Sequence, residues 1–79
     1  MSQKQIFELI AKHTRDVVPG LEAHVFAPTD SLRELGANSI DRADIIVMTL
    51  EELSLNVPLS AVASAQNIGE LASIIDAHA

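Results

Sequence analysis

Apolar residues recur at helical spacing in three stretches of this 79-residue chain, and this periodicity constrains the fold more than any other feature. The stretches cover about 2–17, 39–53 and 67–78. An amphipathic helix gains most of its stability by packing its apolar face against another element. The sequence therefore predicts an all-α fold, a bundle of three main helices without paired strands, and a single domain over 1–79.

Each predicted helix contributes an aliphatic face to the expected core. On the first helix this face consists of Ile6, Leu9, Ile10, His13 and Val17, with His13 as a structural residue at its edge. On the second helix the expected core stripe is Ala43, Ile46, Leu50 and Leu53. On the last helix it is Ile68, Leu71, Ala72, Ile74 and Ile75. Since only two residues of the chain are aromatic, the core must be built from aliphatic side chains.

The segments between the helices carry predictions of their own. The connection over 18–38 is longer than most loops between helices, so we expect it to lie across the bundle. The apolar residues expected to anchor it are Leu21, Val25, Phe26, Leu32 and Leu35. Pro58 suits the start of a short extra helix of at most two turns. The residues expected on the buried side of this short helix are Leu59, Val62 and Ala63.

Composition argues against several classes of function. The formal net charge of -6 argues against nucleic acid and against an anionic membrane surface as partners. No apolar run reaches membrane-spanning length and no signal-peptide core follows the N-terminus, so a cytoplasmic monomer is expected. The chain lacks cysteine, and the spacing of its three histidines does not indicate a metal site.

The stretch 36–44 joins the long connection to the second helix and places Ser39 at the junction. Gly36 can adopt backbone angles closed to other residues, and Asn38 is a favoured N-cap residue. Asp41 follows three residues later, which resembles a capping box with a short acid. Ser39 is therefore predicted in the first helical turn, with its hydroxyl facing water.

A serine in this position has two interpretations, either a residue that only helps to start the helix or a site that another enzyme modifies. A serine that acts as a nucleophile itself needs a nearby base, and the chain has no G-x-S-x-G elbow. We therefore expect no catalytic residue and no enzymatic activity.

The run Leu35-Gly36-Ala37-Asn38-Ser39-Ile40, followed by Ala43-Asp44-Ile45, resembles the prosthetic-group site of acyl carrier proteins. Their usual pattern is Leu-Gly-x-Asp-Ser-Leu, and the likeness extends along nearly the whole chain. The resemblance implies a small four-helix bundle, with three main helices, one short helix and a long first loop. It also implies that a phosphopantetheinyl transferase attaches 4′-phosphopantetheine to Ser39, and that the thiol of this arm carries an acyl group such as acetyl or malonyl. Asn38 departs from the usual Asp, which keeps the cap but removes a charge.

Further motifs resemble the free-standing carriers of bacterial polyketide β-branching cassettes. They are the run 39–45 with Arg42 near the serine, Leu-Ser-Leu-Asn-Val-Pro at 53–58 and Asn-Ile-Gly-Glu-Leu at 67–71. Such carriers donate an acetyl group to a synthase resembling HMG-CoA synthase. The resemblance thus implies this synthase or a ketosynthase as partner, and an acyltransferase or decarboxylase for loading. Fatty-acid, peptidyl and D-alanyl carriers stay open, as does an unmodified helical interaction module.

A second apolar line on the predicted second helix starts beside Ser39 and consists of Ile40 and Val47. It belongs either to a wide core face or to an exposed patch that docks partner enzymes, and the resemblance favours docking. Arg42 is either a solvated partner of an acid or part of the same surface. The predicted docking surface consists of Ile40, Asp41, Arg42, Asp44 and Val47.

Overall fold

The computed structural model describes residues 2–79, and within this range it contains four helices and no strand. The helices are α1 (Gln3–Val17), α2 (Ser39–Leu53), α3 (Leu59–Val62) and α4 (Ile68–Ala77). Helix α1 packs against both α2 and α4, and the short α3 packs against α4. The predicted three main helices and one short helix are confirmed. None of the helices in 2–79 has the length and apolar character needed to cross a lipid bilayer.

Side-chain caps fix where the helices begin. The Ser2 hydroxyl accepts a hydrogen bond from the Gln5 amide, and the Gln5 side chain accepts one from the Ser2 amide. At α4, the Asn67 side chain accepts a 2.8 Å hydrogen bond from the Glu70 amide. These caps satisfy amides that have no partner inside the helix, so the predicted starts follow from local sequence.

Helices α1 and α2 run antiparallel, since Gln5 and Leu9 in the N-terminal half of α1 lie beside Leu53 at the C-terminal end of α2. His13 Nε2 donates to Glu52 Oε1 at 3.0 Å, which joins α1 to the C-terminal end of α2. Near the other end of α2, a Cβ on Gly36 would lie 3.7 Å from Val18. The C-terminal end of α1 therefore lies beside the loop that leads to Ser39.

The centre of the bundle is aliphatic, as predicted, and isoleucine dominates it. The fully buried large side chains are Ile6, Ile10, Ile45, Ile68, Ile75, Thr14 and Thr49. Both threonines satisfy their hydroxyls within their own helix, since Thr14 Oγ1 donates to the Ile10 carbonyl and Thr49 Oγ1 donates to the Ile45 carbonyl. A buried hydroxyl that donates in this way avoids the cost of an unpaired polar group.

The predicted core stripe of α2 is only partly correct. Leu50 is buried, but Ala43, Ile46 and Leu53 are half-buried. The buried line instead follows Ile45 and Thr49. The face that meets α1 is thus rotated from the predicted one, because threonine counts as polar in a hydropathy pattern although its hydroxyl can be satisfied inside the helix.

Two other predictions of burial are wrong. Leu59 is 51% exposed and Ala63 is also exposed, so Val62 is the one fully buried residue of α3, with Ala61 packed beside it. A helix of four residues makes about one turn and has room for one inward position. Val25 is 85% exposed, whereas the neighbouring Phe26 packs against the core. Phe26 takes the inward position of this pair, and its ring also meets the Arg15 guanidinium.

The loop over 18–38 lies across the N-terminal end of α4, as expected. The Ile68 amide donates to the Asp30 carbonyl at 2.9 Å, and the Gly69 amide donates to the Pro28 carbonyl at 2.8 Å. A Cβ on Gly69 would lie only 2.9 Å from Pro28 Cβ, so glycine permits this close approach. Leu32 is buried, and Leu21 and Leu35 pack against the core.

The same loop is fastened to α1 by a polar cluster. Arg15 Nη2 donates to the His24 carbonyl at 3.0 Å, and its guanidinium lies 4.7 Å from the centre of the Phe26 ring. Asp30 Oδ2 accepts hydrogen bonds from the Ala27 amide and from His24 Nε2. The hydrogen bond from the Ala27 amide has the largest effect in lowering the pKa of the Asp30 carboxyl, and the hydrogen bond from His24 lowers it further.

Truncation of Leu50 tests the facing of α2. Leu50→Ala is expected to lower the free energy of unfolding by roughly 2–5 kcal/mol, because it removes buried aliphatic volume. Met48→Ala is the matched control, and it should cost at most about 1 kcal/mol because Met48 is half-buried. Urea unfolding curves measure both changes. Equal midpoints for the two variants would contradict this orientation of α2.

The Asp30 cluster predicts a pH dependence of stability. Because the folded state lowers the pKa of Asp30, its ionised carboxylate stabilises the fold above the ordinary aspartate pKa of about 3.9. This contribution is lost as the pH falls through the lowered value. Asp30→Asn should therefore unfold at lower urea than the parent at neutral pH, and the difference should shrink below about pH 4.

Asp44→Asn serves as the control for the Asp30 measurement, since Asp44 is an exposed acid on α2 that forms no salt bridge among residues 2–79. Its urea midpoint should stay close to that of the parent at both pH values. If the difference between Asp30→Asn and the parent is the same in acid and at neutral pH, the carboxylate charge does not hold the loop.

Candidate functional site

The loop that precedes Ser39 is held rigidly against the core. Gly36 has a φ of 106°, a conformation that favours glycine, and its amide donates to the Arg33 carbonyl at 3.1 Å. Ala37 is 3% exposed, and its amide donates to the Leu32 carbonyl at 3.0 Å. The predicted turn before Ser39 is therefore present, and buried Ala37 anchors it.

Asn38 and Asp41 form the predicted capping box. The Asp41 amide donates to Asn38 Oδ1 at 2.7 Å, and the Asn38 amide donates to Asp41 Oδ2 at 3.2 Å. Asn38 has extended backbone angles, so α2 begins at Ser39. The short acid thus works in the box, and an uncharged N-cap does not prevent the helix from starting at the predicted residue.

Ser39 is exposed in the first turn of α2, as predicted. The amides of Ser39 and Ile40 belong to the first turn, where no intrahelical acceptor exists, and the capping box uses only the two flanking amides. The N-terminal end of a helix also carries a partial positive charge. The residues here thus fit a phosphate ester on the serine oxygen, because its anionic oxygens would meet free donors and a favourable field.

The histidines do not assemble around Ser39. His13 bonds to Glu52, His24 bonds to Asp30, and His78 Nδ1 lies 2.9 Å from the Ile74 carbonyl. The interpretation of His13 as a structural residue is confirmed, since it is 7% exposed. Residues 2–79 contain no group of three or more His, Asp or Glu side chains arranged to hold a metal ion.

The residues predicted for docking separate into two sets. Ile40 is 71% exposed, Val47 is 42% exposed, and Asp44 between them is exposed as well. We call these three residues the α2 face. Its two apolar side chains are too exposed to belong to a wide core face, which was the alternative interpretation of the apolar line.

Asp41 and Arg42 are half-buried and are engaged with the start of α2. Asp41 completes the capping box, and Arg42 Nη1 donates to the Ala37 carbonyl at 2.9 Å. No carboxylate within 2–79 forms a salt bridge with Arg42. The bond from Arg42 to Ala37 was not predicted from the sequence, since this bond crosses the helix start and follows no helical spacing rule.

A groove opens between α2 and the segment formed by α3 and α4. It was not predicted from the sequence. Its volume is about 290 Å³, and Arg33 from the loop and Arg42 from α2 both line it. Ile46 and Val62 contribute apolar surface from opposite sides. We call it the arginine groove. Only the packing of three separate segments creates it, so no local pattern in the sequence indicates it.

Comparisons with known proteins identify relatives of this chain. Residues 16–75 match the family model described as "Phosphopantetheine attachment site". The chain is 47% identical over 75 residues to the polyketide biosynthesis acyl-carrier-protein AcpK of Bacillus subtilis (strain 168), which covers 95% of this chain and 92% of the relative. The structure of the present chain is similar to a chain in the crystal structure of the curacin biosynthetic pathway HMG synthase in complex with acetyl donor-ACP. That match has a TM-score of 0.93 and 49% identity, and it covers 98% of this chain and 99% of the other.

These matches confirm the resemblance to acyl carrier proteins and the class of cofactor that the motif around the serine implies. The family model spans most of the chain, and the bacterial relative matches it over nearly its whole length. The chain therefore belongs to the phosphopantetheine attachment-site family, whose members hold a 4′-phosphopantetheine arm covalently.

Proposed function

We propose that this chain is the acetyl-donor carrier of a polyketide β-branching pathway. It holds its acyl group as a thioester on the 4′-phosphopantetheine arm, and it presents acetyl to an enzyme resembling HMG-CoA synthase. One observation carries this proposal: the chain is similar over nearly its whole length to the acetyl donor-ACP that is in complex with an HMG synthase. The likeness to the polyketide carrier of Bacillus subtilis supports the same pathway class.

The arm is attached to Ser39 in this proposal. A phosphopantetheinyl transferase joins the serine oxygen to the phosphorus of the pantetheine phosphate of coenzyme A. The bond to the nucleotide part of coenzyme A breaks, and the hydroxyl proton is released. Exposure of Ser39, the rigid turn before it and the free amides of the first helical turn support this assignment. The bound arm supplies a thiol, which the cysteine-free chain lacks.

The carrier itself performs no catalysis in this proposal. Each histidine of the chain is hydrogen-bonded to a group other than Ser39, which supports a serine that is modified rather than one that attacks a substrate. An acyltransferase loads a malonyl group, and a decarboxylase or ketosynthase-type partner removes its carboxylate as CO₂ while the α-carbon takes up a proton. The resulting acetyl group passes to the synthase. We propose further that residues 1–79 form one carrier domain and act as a cytoplasmic monomer.

The α2 face is the proposed docking surface for these partners. Its acid, Asp44, lies between two exposed apolar side chains on the helix that begins at Ser39. The net charge of -6 favours encounter with basic surfaces, while burial of Ile40 and Val47 slows release. Asp41 and Arg42 contribute at the rim, since their side chains already serve the helix start.

Mass spectrometry tests the attachment site. Incubation with a phosphopantetheinyl transferase and coenzyme A should raise the intact mass by one phosphopantetheine arm, and Ser39→Ala should abolish the rise. Ser60→Ala is a matched control, because Ser60 is an exposed serine in the first turn of a helix but lacks the loop motif. A full mass increase in Ser39→Ala would refute the site, and no increase in the parent would favour the unmodified interaction module.

Transfer kinetics test the docking surface. Asp44→Lys and Val47→Ala should each slow acetyl transfer to the HMG-CoA-synthase-like enzyme about fivefold or more, as expected for a loss of roughly 1 kcal/mol at an interface. Arg42→Glu should also slow transfer, although it removes the bond to Ala37 as well. The measurement is the single-turnover rate of the acetyl-loaded carrier at subsaturating synthase, with circular dichroism as the control for folding.

Glu8→Lys provides a charge-matched control for Asp44→Lys. Glu8 is exposed on α1 and lies beside Glu52 and Leu53, at the opposite end of α2 from Ser39. Its substitution should leave the transfer rate within about twofold of the parent. If the three variants of the docking surface also transfer at the parent rate, the partners recognise another surface.

A further inference from the structure

The arginine groove has a charge that is unusual for this chain. The chain has eleven acidic and five basic residues, yet two of its arginines line the same groove. No carboxylate in 2–79 lies within 4.0 Å of either guanidinium, whereas Lys12 pairs with Glu52. Two guanidinium groups thus face one groove without a counter-charge from the described residues.

The geometry of Arg42 fixes its charge at the groove. The bond from Nη1 to the Ala37 carbonyl holds the guanidinium, and Ala37 is itself buried. A guanidinium has five N–H donors, so a single bond leaves a plane of donors available. Arg33 is exposed on the loop turn, so its side chain is free to change rotamer. Arg42 and Arg33 can therefore bind an anion together. Arg42 loses little rotamer freedom when it does so, because its guanidinium is already held in place.

The other polar side chains that line the groove, on Ser31, Gln66 and Asn67, are uncharged. The Ser31 hydroxyl accepts from the Glu34 amide, and the Asn67 side chain accepts from the Glu70 amide. The two arginines supply the positively charged donors among the residues that line the groove. Apolar surface from Ile46, Val62 and Leu71 lies in the same groove and suits the methylene and amide parts of a slender chain. This mixture fits a ligand with an aliphatic body and an anionic end.

The position of the groove relative to Ser39 identifies the source of such a ligand. Arg42 follows Ser39 by three residues on the same helix, so the groove begins about one turn from the attachment site. Helix α3 packs against α4 and makes no close backbone contact with α2, so the groove is open between them. A group on the arm reaches this groove at a high effective concentration because it is tethered beside it.

We propose that the arginine groove binds the free carboxylate of a dicarboxylic acyl group, of the malonyl class, that is attached through the arm. The carboxylate forms charge-assisted hydrogen bonds with Arg42 and Arg33, and the arm lies along the apolar walls. An acetyl group has no carboxylate and is not retained. The carrier thereby distinguishes its precursor from its product, holding the malonyl group until a decarboxylase meets it and leaving acetyl free for the synthase. This inference rests on the proposed attachment of the arm to Ser39.

The test compares three forms of the ¹⁵N-labelled protein. A transferase loads the arm from coenzyme A, acetyl-coenzyme A or malonyl-coenzyme A, and intact mass verifies each product. Amide chemical shifts of Arg33, Ile46 and Val62 should differ between the malonyl and acetyl forms, while the acetyl and unacylated forms should agree there. A failure to load contradicts attachment at Ser39, whereas successful loading with identical malonyl and acetyl shifts overturns the groove inference alone.

Charge variants identify the groups responsible. Arg33→Gln and Arg42→Gln should each remove more than half of the shift difference between the malonyl and acetyl forms, and Arg42→Lys should retain more of it than Arg42→Gln. Lys4→Gln removes one positive charge from an exposed position on α1 and should retain the full difference. If Lys4→Gln reduces the difference as much as Arg33→Gln, general charge rather than the groove is responsible.

Free malonate distinguishes a tethered cargo from a dissolved anion. Added to the unmodified protein, it should shift the same amides only at about millimolar concentration or above, since it lacks the effective concentration that the arm provides. Saturation at micromolar malonate would overturn the proposal, because the groove would then be a site for a free dicarboxylate.

Discussion

Burial of aliphatic side chains between α1 and its two neighbours is the constraint on which the rest of the structure depends. The chain has no disulfide, and residues 2–79 form no metal cluster, so packing of residues such as Ile6, Ile45 and Ile75 supplies the main stabilisation. Small domains bury a modest fraction of their surface, which leaves little stability in reserve. Function is accordingly placed on surfaces that the core does not use.

Helix α2 shows how one element serves both purposes. Ile45, Thr49 and Leu50 face the core, while Ile40 and Val47 point to the outside. Since α1 fixes the inner face, the outer face and Ser39 cannot rotate relative to the bundle. The flexibility that delivery of a cargo requires therefore belongs to the arm, and the proposed docking surface beside it is rigid.

Arg42 connects the start of α2 with two proposed functions. Its bond to Ala37 braces the loop that leads to Ser39, it lies at the rim of the proposed docking surface, and it lines the arginine groove. One guanidinium can do this because its donors point in several directions of one plane. A substitution of Arg42 affects all of these roles at once. Its effect must therefore be compared with that of a substitution that changes a single role, such as Arg33→Gln for the groove or Asp44→Lys for docking.

The helices and the position of Ser39 can be predicted from the sequence, because helical periodicity and side-chain caps are local. Asn38, Asp41 and Asn67 predicted the starts of α2 and α4 correctly, since their capping hydrogen bonds join residues close in sequence. Pro58 predicted the start of α3 through its restricted backbone angle. The motif around the serine also identified the family. The buried side of α2 could not be predicted from the sequence, because it depends on where α1 lies and on the internal bond of Thr49. The exposure of Leu59, the bond from Arg42 to Ala37 and the groove shared by Arg33 and Arg42 likewise depend on how separate segments pack, which no local pattern indicates.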